Sequence, residues 1–491
     1  MKANFSATFL FVFLTQILNA QMHRPVFKLP LTEVVNQVEK EFNVTLLYDE
    51  SSYNKMGVKN LWVESANWKF TSEFGVTMDN ILKPLDLIYT KVGSDSFEIK
   101  GFEYHHRSAN EGKLHLDKIL TLYNNAESFE QRKKKLRSCI LETLGINPDI
   151  KMGHFKTVNG TRRKMDGYSV ESIAFESFPG YYITGSLYRP LQSKSKSPAI
   201  LCPHGHFPEF RKADNWDIQG RFRPDMQYRC AALAKMGAVV FSYDMYAWGE
   251  SRLQSGNDIN DTVTHNSGFS LALQTWNSIR VIDFLSALPY VDNNRIGVTG
   301  ASGGGTQTFL VSALDDRIKA SAPVVMASSC FYGGCGCESG LPIHSCGKYR
   351  TNNIEIAAMT APRPQLIISD GNDWTKNVPE IDYPYLQNVY GFYSKKNNIS
   401  NVHLPLDKHD YGLSKRIPMY HFFTLQFGLN LDAVKNRNGD IDESKITIEP
   451  AAAQRVFSDS RALPENAIKG HQNIVNAFKA FQGLKDDFKN Y

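Results

Sequence analysis

The stretch "RIGVTGASGGGTQTF", residues 295–309, sets one serine among glycines straight after an apolar run. "RIGVTG" reads as a strand, and the residues after Ser302 read as a helix. Between them "GASGG", 300–304, fits G-x-S-x-G in the strand–turn–helix context that a nucleophile elbow demands. An ordinary loop has no need of a serine so enclosed. A nucleophile on a strained turn does, because glycine lets the helix pass close to the strand while the turn lifts Oγ above the sheet edge.

Working outward, strand-like and helical runs alternate on both sides of that turn. "YSVESIAFES", "YYITGSLYRP" and "PAILCPHG" lead to the helical "MQYRCAALAKMG", and "AVVFSYD" leads to the helical "SLALQTWNSIRVIDFLSAL". After the elbow come the strands "ASAPVVMAS", "PQLIISDG" and "VHLPLD". Apolar strands separated by helices predict an α/β fold: a mostly parallel sheet with helices on both faces.

A serine nucleophile needs a base and an acid that orients it. Beyond "PQLIIS" lie two acids, Asp370 and Asp373. Asp370 is still nearly within the strand, whereas Asp373 has cleared it, so Asp373 is the expected acid. The last strand is followed by "KHDYG", which puts His409 just past its end as the expected base, while His403 lies inside the strand. Two backbone N–H groups are expected to hold the oxyanion, those of Gly303 and of His206 in "PHGHF". His204 and His206 could suggest a metal, but no third ligand is spaced to join them. Trp248 and Trp374 are candidates for the substrate mouth.

The bulk numbers agree with a multidomain enzyme. The chain has 491 residues, 42% hydrophobic and 21% charged, with a net charge of +5, which gives no case for nucleic acid. The basic run "RKKKLR", 132–137, reads as a solvated helix face. Residues 1–20 read as a signal peptide: Lys2, the apolar "FLFVFLTQIL", then Ala20 before a cut with no cysteine behind it. That predicts an exported protein, periplasmic or secreted, without a membrane span. Four of the seven cysteines, Cys330, Cys335, Cys337 and Cys346, crowd one segment. Their C-x4-C-x-C-x8-C spacing favours disulfides over structural zinc in an oxidising compartment, and at least one bond within the cluster is expected.

Residues 21–105 read as a small α+β unit. "LTEVVNQVEKEF" carries a helical stripe, a second short helix starts near Thr77 as N-cap, and "LDLIYTKVGSDSFEIKG" is a hairpin. Residues 106–150 read as a helical arm, 151–430 as the catalytic domain and 431–491 as an extension on its outside. In pattern, the first unit resembles the short N-terminal domain of secretins and TonB-dependent receptors.

From about 130 to 430, "FESFPGYYITGSLYRP", "PHGH", "YDMYAWGES", "GASGGGTQTF", "SDGNDWTKNVPE" and "KHDYG" resemble bacterial α/β-hydrolases grouped with acetyl xylan esterases. The resemblance implies Ser302 as nucleophile, Asp373 as acid and His409 as base. It implies an exported carbohydrate esterase that cuts small acyl or methyl esters from plant polysaccharides without a cofactor. Acetyl esters are the first expectation and uronate methyl esters, as in pectin, the alternative. A peptidase on this fold would carry a propeller or lid, and neither is seen. A catalytically dead, glycan-binding hydrolase is the remaining reading, against which the intact Ser, Asp, His order argues.

Overall fold

The computed structural model describes residues 28–48, 61–85, 87–101, 107–150, 155–193, 195–205, 219–256, 268–331, 338, 341–458, 460–485 and 488. The expected signal peptide lies outside the described residues. The chain forms two compact units, Met1–Glu103 and Tyr104–Tyr491.

In the first unit the predicted stripe forms α1 (Leu31–Phe42), burying Leu31, Val34, Val35 and Val38. Asn43 ends it in the left-handed region, at φ 51°. The strands β1 (Lys28–Pro30) and β3 (Trp62–Glu64) pair antiparallel. β5 (Ser96–Gly101) runs parallel to β2 (Thr45–Tyr48) and antiparallel to β4 (Leu87–Lys91), which is the predicted hairpin. The second helix, α2, spans Phe74–Leu82, so it begins before Thr77. Thr77 is therefore no N-cap. It sits buried inside the helix, where its hydroxyl accepts from Thr71 N at 2.9 Å.

The second unit is built on a ten-stranded sheet in the order β15-β14-β13-β12-β10-β11-β9-β8-β6, with β7 (Arg163–Lys164) also on β8. The strands β10 (Ser197–Pro203), β11 (Val239–Tyr243), β12 (Val291–Ala301), β13 (Ile318–Val324), β14 (Gln365–Asp370) and β15 (Ile399–Leu404) run parallel. β6 (Thr157–Asn159), β8 (Tyr168–Phe178) and β9 (Tyr181–Pro190) form the antiparallel end. Side chains alternate across the sheet, as a strand's period of two requires. On β10, Ile200 and Cys202 enter one core and Ala199 and Leu201 the other. α5 (Pro224–Lys235) and α9 (Leu413–Phe427) cover the first face. α6 (Gly268–Ala287) and α7 (Gly303–Leu314) cover the second. This is the α/β-hydrolase arrangement, in which loops from all the parallel strands emerge at one carboxyl edge.

The arm is two helices, α3 (Ala109–Leu120) and α4 (Ala126–Thr143), each with a capping box. Its basic run divides: Lys134 and Lys135 are exposed, as a solvated face requires, while Arg132, Lys133 and Arg137 are docked. Arg132 is buried against Glu355, with Nε 2.8 Å from Oε1, and Lys133 Nζ donates to Ala361 O at 3.0 Å. Arg137 grips Asp316 with two nitrogens. α4 also corrects the cysteine reading: Cys346 bonds to Cys139 of this helix, with Cα atoms 5.8 Å apart, rather than within its own cluster. The helix presents one edge to the segment, since Thr143, one turn on, places Oγ1 3.6 Å from Cys346 Sγ. Cys330 is a buried thiol, and Cys335 and Cys337 lie outside the described residues. The C-terminal extension is more than an outer wrap, because α10 (His471–Gln482) buries Ile474, Val475 and Phe478 in the same core as the arm. Among the described residues no helix is long and apolar enough to cross a membrane.

Candidate active site

β12 ends at Ala301 and α7 begins at Gly303, which leaves Ser302 alone on the turn. Its backbone has φ 56° and ψ −127°, a conformation that only a surrounding fold can impose on a non-glycine residue. Two glycines make room for it. A Cβ on Gly304 would lie 2.4 Å from Pro203 O at the end of β10. A Cβ on Gly205 would lie 2.6 Å from Ser302 Cβ and 3.0 Å from Gly303 N. The loop after β10 therefore runs directly against the serine turn. His206, the expected second oxyanion donor, lies outside the described residues.

The loops that carry the expected acid and base meet at the same edge. His409 Nδ1 lies 2.7 Å from Asp373 Oδ2, and Asp373 is almost fully buried. The other oxygen, Oδ1, accepts from Thr375 N at 2.6 Å and Thr375 Oγ1 at 2.5 Å, which fixes the carboxylate plane. Trp374 lies over His409 with ring centres 4.7 Å apart and stacks on Phe331 at 4.5 Å. Ser328 Oγ, from the loop after β13, donates to Trp374 O. Trp374 is thus half-buried beside His409. Trp248 is only 7% exposed, edge-on to His204, so it underlies the β10 loop and offers no open sugar platform.

Asp370 has a different partner. It lies 3.4 Å from the buried Lys415 Nζ, which also reaches Asp410 at 3.0 Å and donates to Lys408 O. Burial, then the charge of Asp373, pushes the Asp370 carboxyl above its ordinary range against the pull of Lys415. Lys415 ties the Asp370 strand end to the segment carrying His409. Its lysine-after-histidine position in "KHDYGLSK" carries no motif that would have marked it.

His204 has a different task from metal binding. Burial lowers it to about 4, so it is neutral, and Nε2 accepts from Met245 N at 3.0 Å. Its proton then sits on Nδ1, 3.1 Å from Gly205 O. That pair of bonds fixes the loop against Ser302. Beneath it Arg221 is fully buried between Asp244 and Glu250, and Glu250 in turn accepts from Val456 N and Phe457 N of the C-terminal extension. Among the described residues no group of three ligands could hold a metal. The Gly303 N–H donates to Glu338 Oε1 at 3.1 Å, and Glu338 is 9% exposed. Sequence reading missed this glutamate because it stands alone among the cysteines and glycines of its segment.

The chain is similar to several known proteins. A family model described as acetyl xylan esterase matches residues 147–331. The solved structure of methylesterase BT1017 is 38% identical, covers 94% of this chain and all of its own, and superposes with a TM-score of 0.71. YtaP of Bacillus subtilis, named as a hydrolase, is 24% identical over 193 residues, 39% of this chain and 61% of that protein's length. A glucuronoyl esterase from Solibacter usitatus is 14% identical and covers 62% of this chain and 94% of its own, with a TM-score of 0.45. On its identity along the full length of methylesterase BT1017, the chain belongs to that enzyme's family, a carbohydrate-esterase family of α/β-hydrolase fold whose members are serine hydrolases acting on carboxylic esters.

Proposed function

We propose that this protein is an exported serine esterase that removes methyl groups from esterified uronates of a plant polysaccharide such as pectin. The observation that carries the chemistry is the His409–Asp373 pair, 2.7 Å apart, at the sheet edge where Ser302 stands on its strained turn. Ser302 Oγ attacks the ester carbonyl, and His409 takes its proton through the ring nitrogen opposite Asp373. Asp373 holds the tautomer and stabilises the imidazolium. The Gly303 N–H and a second amide from the His206 segment stabilise the oxyanion. His409 returns the proton to departing methanol, leaving the uronyl group on Ser302. Water, deprotonated by His409, then releases the uronic acid and restores the serine.

The whole-length likeness to a methylesterase supports the methyl ester over the acetyl ester. The acetyl reading keeps one specific support, the acetyl xylan esterase match over 147–331. The two differ in which side of the ester is the sugar. Side-by-side assay of methanol from methylated pectin and acetate from acetylated xylan separates them. The proposal expects methanol release to dominate, and acetate release alone would hand the site to the acetyl reading. No hydrolysis of either polymer or of p-nitrophenyl acetate would leave the dead, glycan-binding reading.

A further inference from the structure

The amide expected to hold the oxyanion already has an acceptor within the fold. Glu338 Oε1 accepts the Gly303 N–H at 3.1 Å, and the side chain lies so close that a Cβ on Gly303 would stand 2.4 Å from that oxygen and 2.7 Å from Cγ. The carboxylate also faces the N-terminus of the twelve-residue helix α7, where partial positive charge favours an anion. A substrate carbonyl oxygen and the Glu338 oxygen therefore compete for one donor.

We propose that Glu338 is a specificity-determining residue that separates ester from acid at the oxyanion site. The inference rests on the reading of Ser302 and Gly303 given above. A neutral ester displaces the side chain at a modest cost, because its carbonyl acquires full negative character only in the tetrahedral intermediate and then holds the N–H more strongly than a carboxylate does. A carboxylate product gains nothing on the way to a transition state and meets the charge of Glu338 beside it, so it leaves. This matters most for a methylesterase, whose acid product stays attached to a long, repeatedly charged polymer.

The test uses the full-length protein, its Glu338→Ala and Glu338→Gln variants, and Ser302→Ala as control. The readouts are the rate of labelling by a fluorophosphonate, whose P=O oxygen must enter the same donor site as fluoride leaves, KM and kcat for p-nitrophenyl acetate, and inhibition by acetate and galacturonate. Glu338→Ala is expected to be labelled about tenfold faster, with KM lowered, kcat little changed and both acids inhibiting about tenfold more strongly. Glu338→Gln, which keeps an acceptor but not the charge, should reproduce the stronger acid inhibition with less effect on labelling. Unchanged or slower labelling of a folded Glu338→Ala, or unchanged acid inhibition in both variants, overturns the proposal and leaves Glu338 a brace of the wall. Labelling of Ser302→Ala at the wild-type rate would instead overturn the nucleophile assignment, so the two failures are distinct.

Discussion

At Asp370 and Asp373, three residues apart, the same side chain takes two different fates from its surroundings alone. Asp373 has both oxygens committed, to Thr375 and to His409, while Asp370 answers the buried Lys415. Asp373→Asn is expected to lower kcat by about 10³–10⁴-fold, since the amide would hold the wrong imidazole tautomer. Asp370→Asn should cost far less activity and show mainly as lost stability, because it leaves Lys415 with one fewer anion. Steady-state kinetics beside thermal melts decide this, and a larger kcat loss at Asp370 would reverse the roles. Position past a strand end was enough to prefer Asp373 and His409 from sequence, and the G-x-S-x-G context was enough to single out Ser302. Glu338 and Lys415 were not legible, because each acts through a contact with a residue distant in the chain and neither belongs to a recurring spacing.

Elements with strong periodicity were readable, and their boundaries and docking faces less so. α1 showed its stripe plainly, whereas α2 began before Thr77 because that hydroxyl bonds back to Thr71 instead of capping. The charges of α4 suggested water, yet Glu355 and the Ala361 carbonyl provide buried partners that only the tertiary fold reveals. The same docking supplies Cys139 to Cys346 across a separation of 207 residues. Non-reducing peptide mapping should recover this bond, and Cys139→Ser should cost about 2–4 kcal/mol of stability. A free Cys139 in the native protein would contradict it. Just before α8 (Tyr383–Phe392), the fully buried Asp382 accepts from Ser329 N, and burial pushes it up to about 7 from an ordinary 3.8. The fold holds that proton where the unfolded chain has lost it, so this group's contribution falls as pH rises from about 4 to 7. Asp382→Asn should abolish that decline, seen as a larger net rise in Tm from pH 5 to 7 than in the wild type. An equal change in both would show that Asp382 does not titrate in this window.

For the molecule as a whole, the alternation of strands and helices was enough to read the sheet, but not the way distant segments close it. The C-terminal extension looked peripheral, yet its backbone amides satisfy Glu250 beneath the β10 loop and its last helix fills a core. Acid should act on this unit through buried neutral histidines. Burial lowers His115 and His204 to about 4 and His344 to about 3, against an ordinary 6.5. The unfolded chain takes up their protons first, so the stability they contribute is complete above pH 6.5 and is lost as pH falls towards 4. Asp382 opposes this with one group against three. Tm is therefore expected to fall between pH 6.5 and 4.5, and a flat or rising Tm there would contradict the assignment of neutral histidines. The central claim is that one serine in this fold hydrolyses a methyl ester, and the direct measurement is methanol released from methyl-esterified pectin by the wild type and by Ser302→Ala. Release by the wild type with a loss of at least about 10³-fold in a folded Ser302→Ala is the predicted result; methanol released by the variant at a rate near that of the wild type would contradict it.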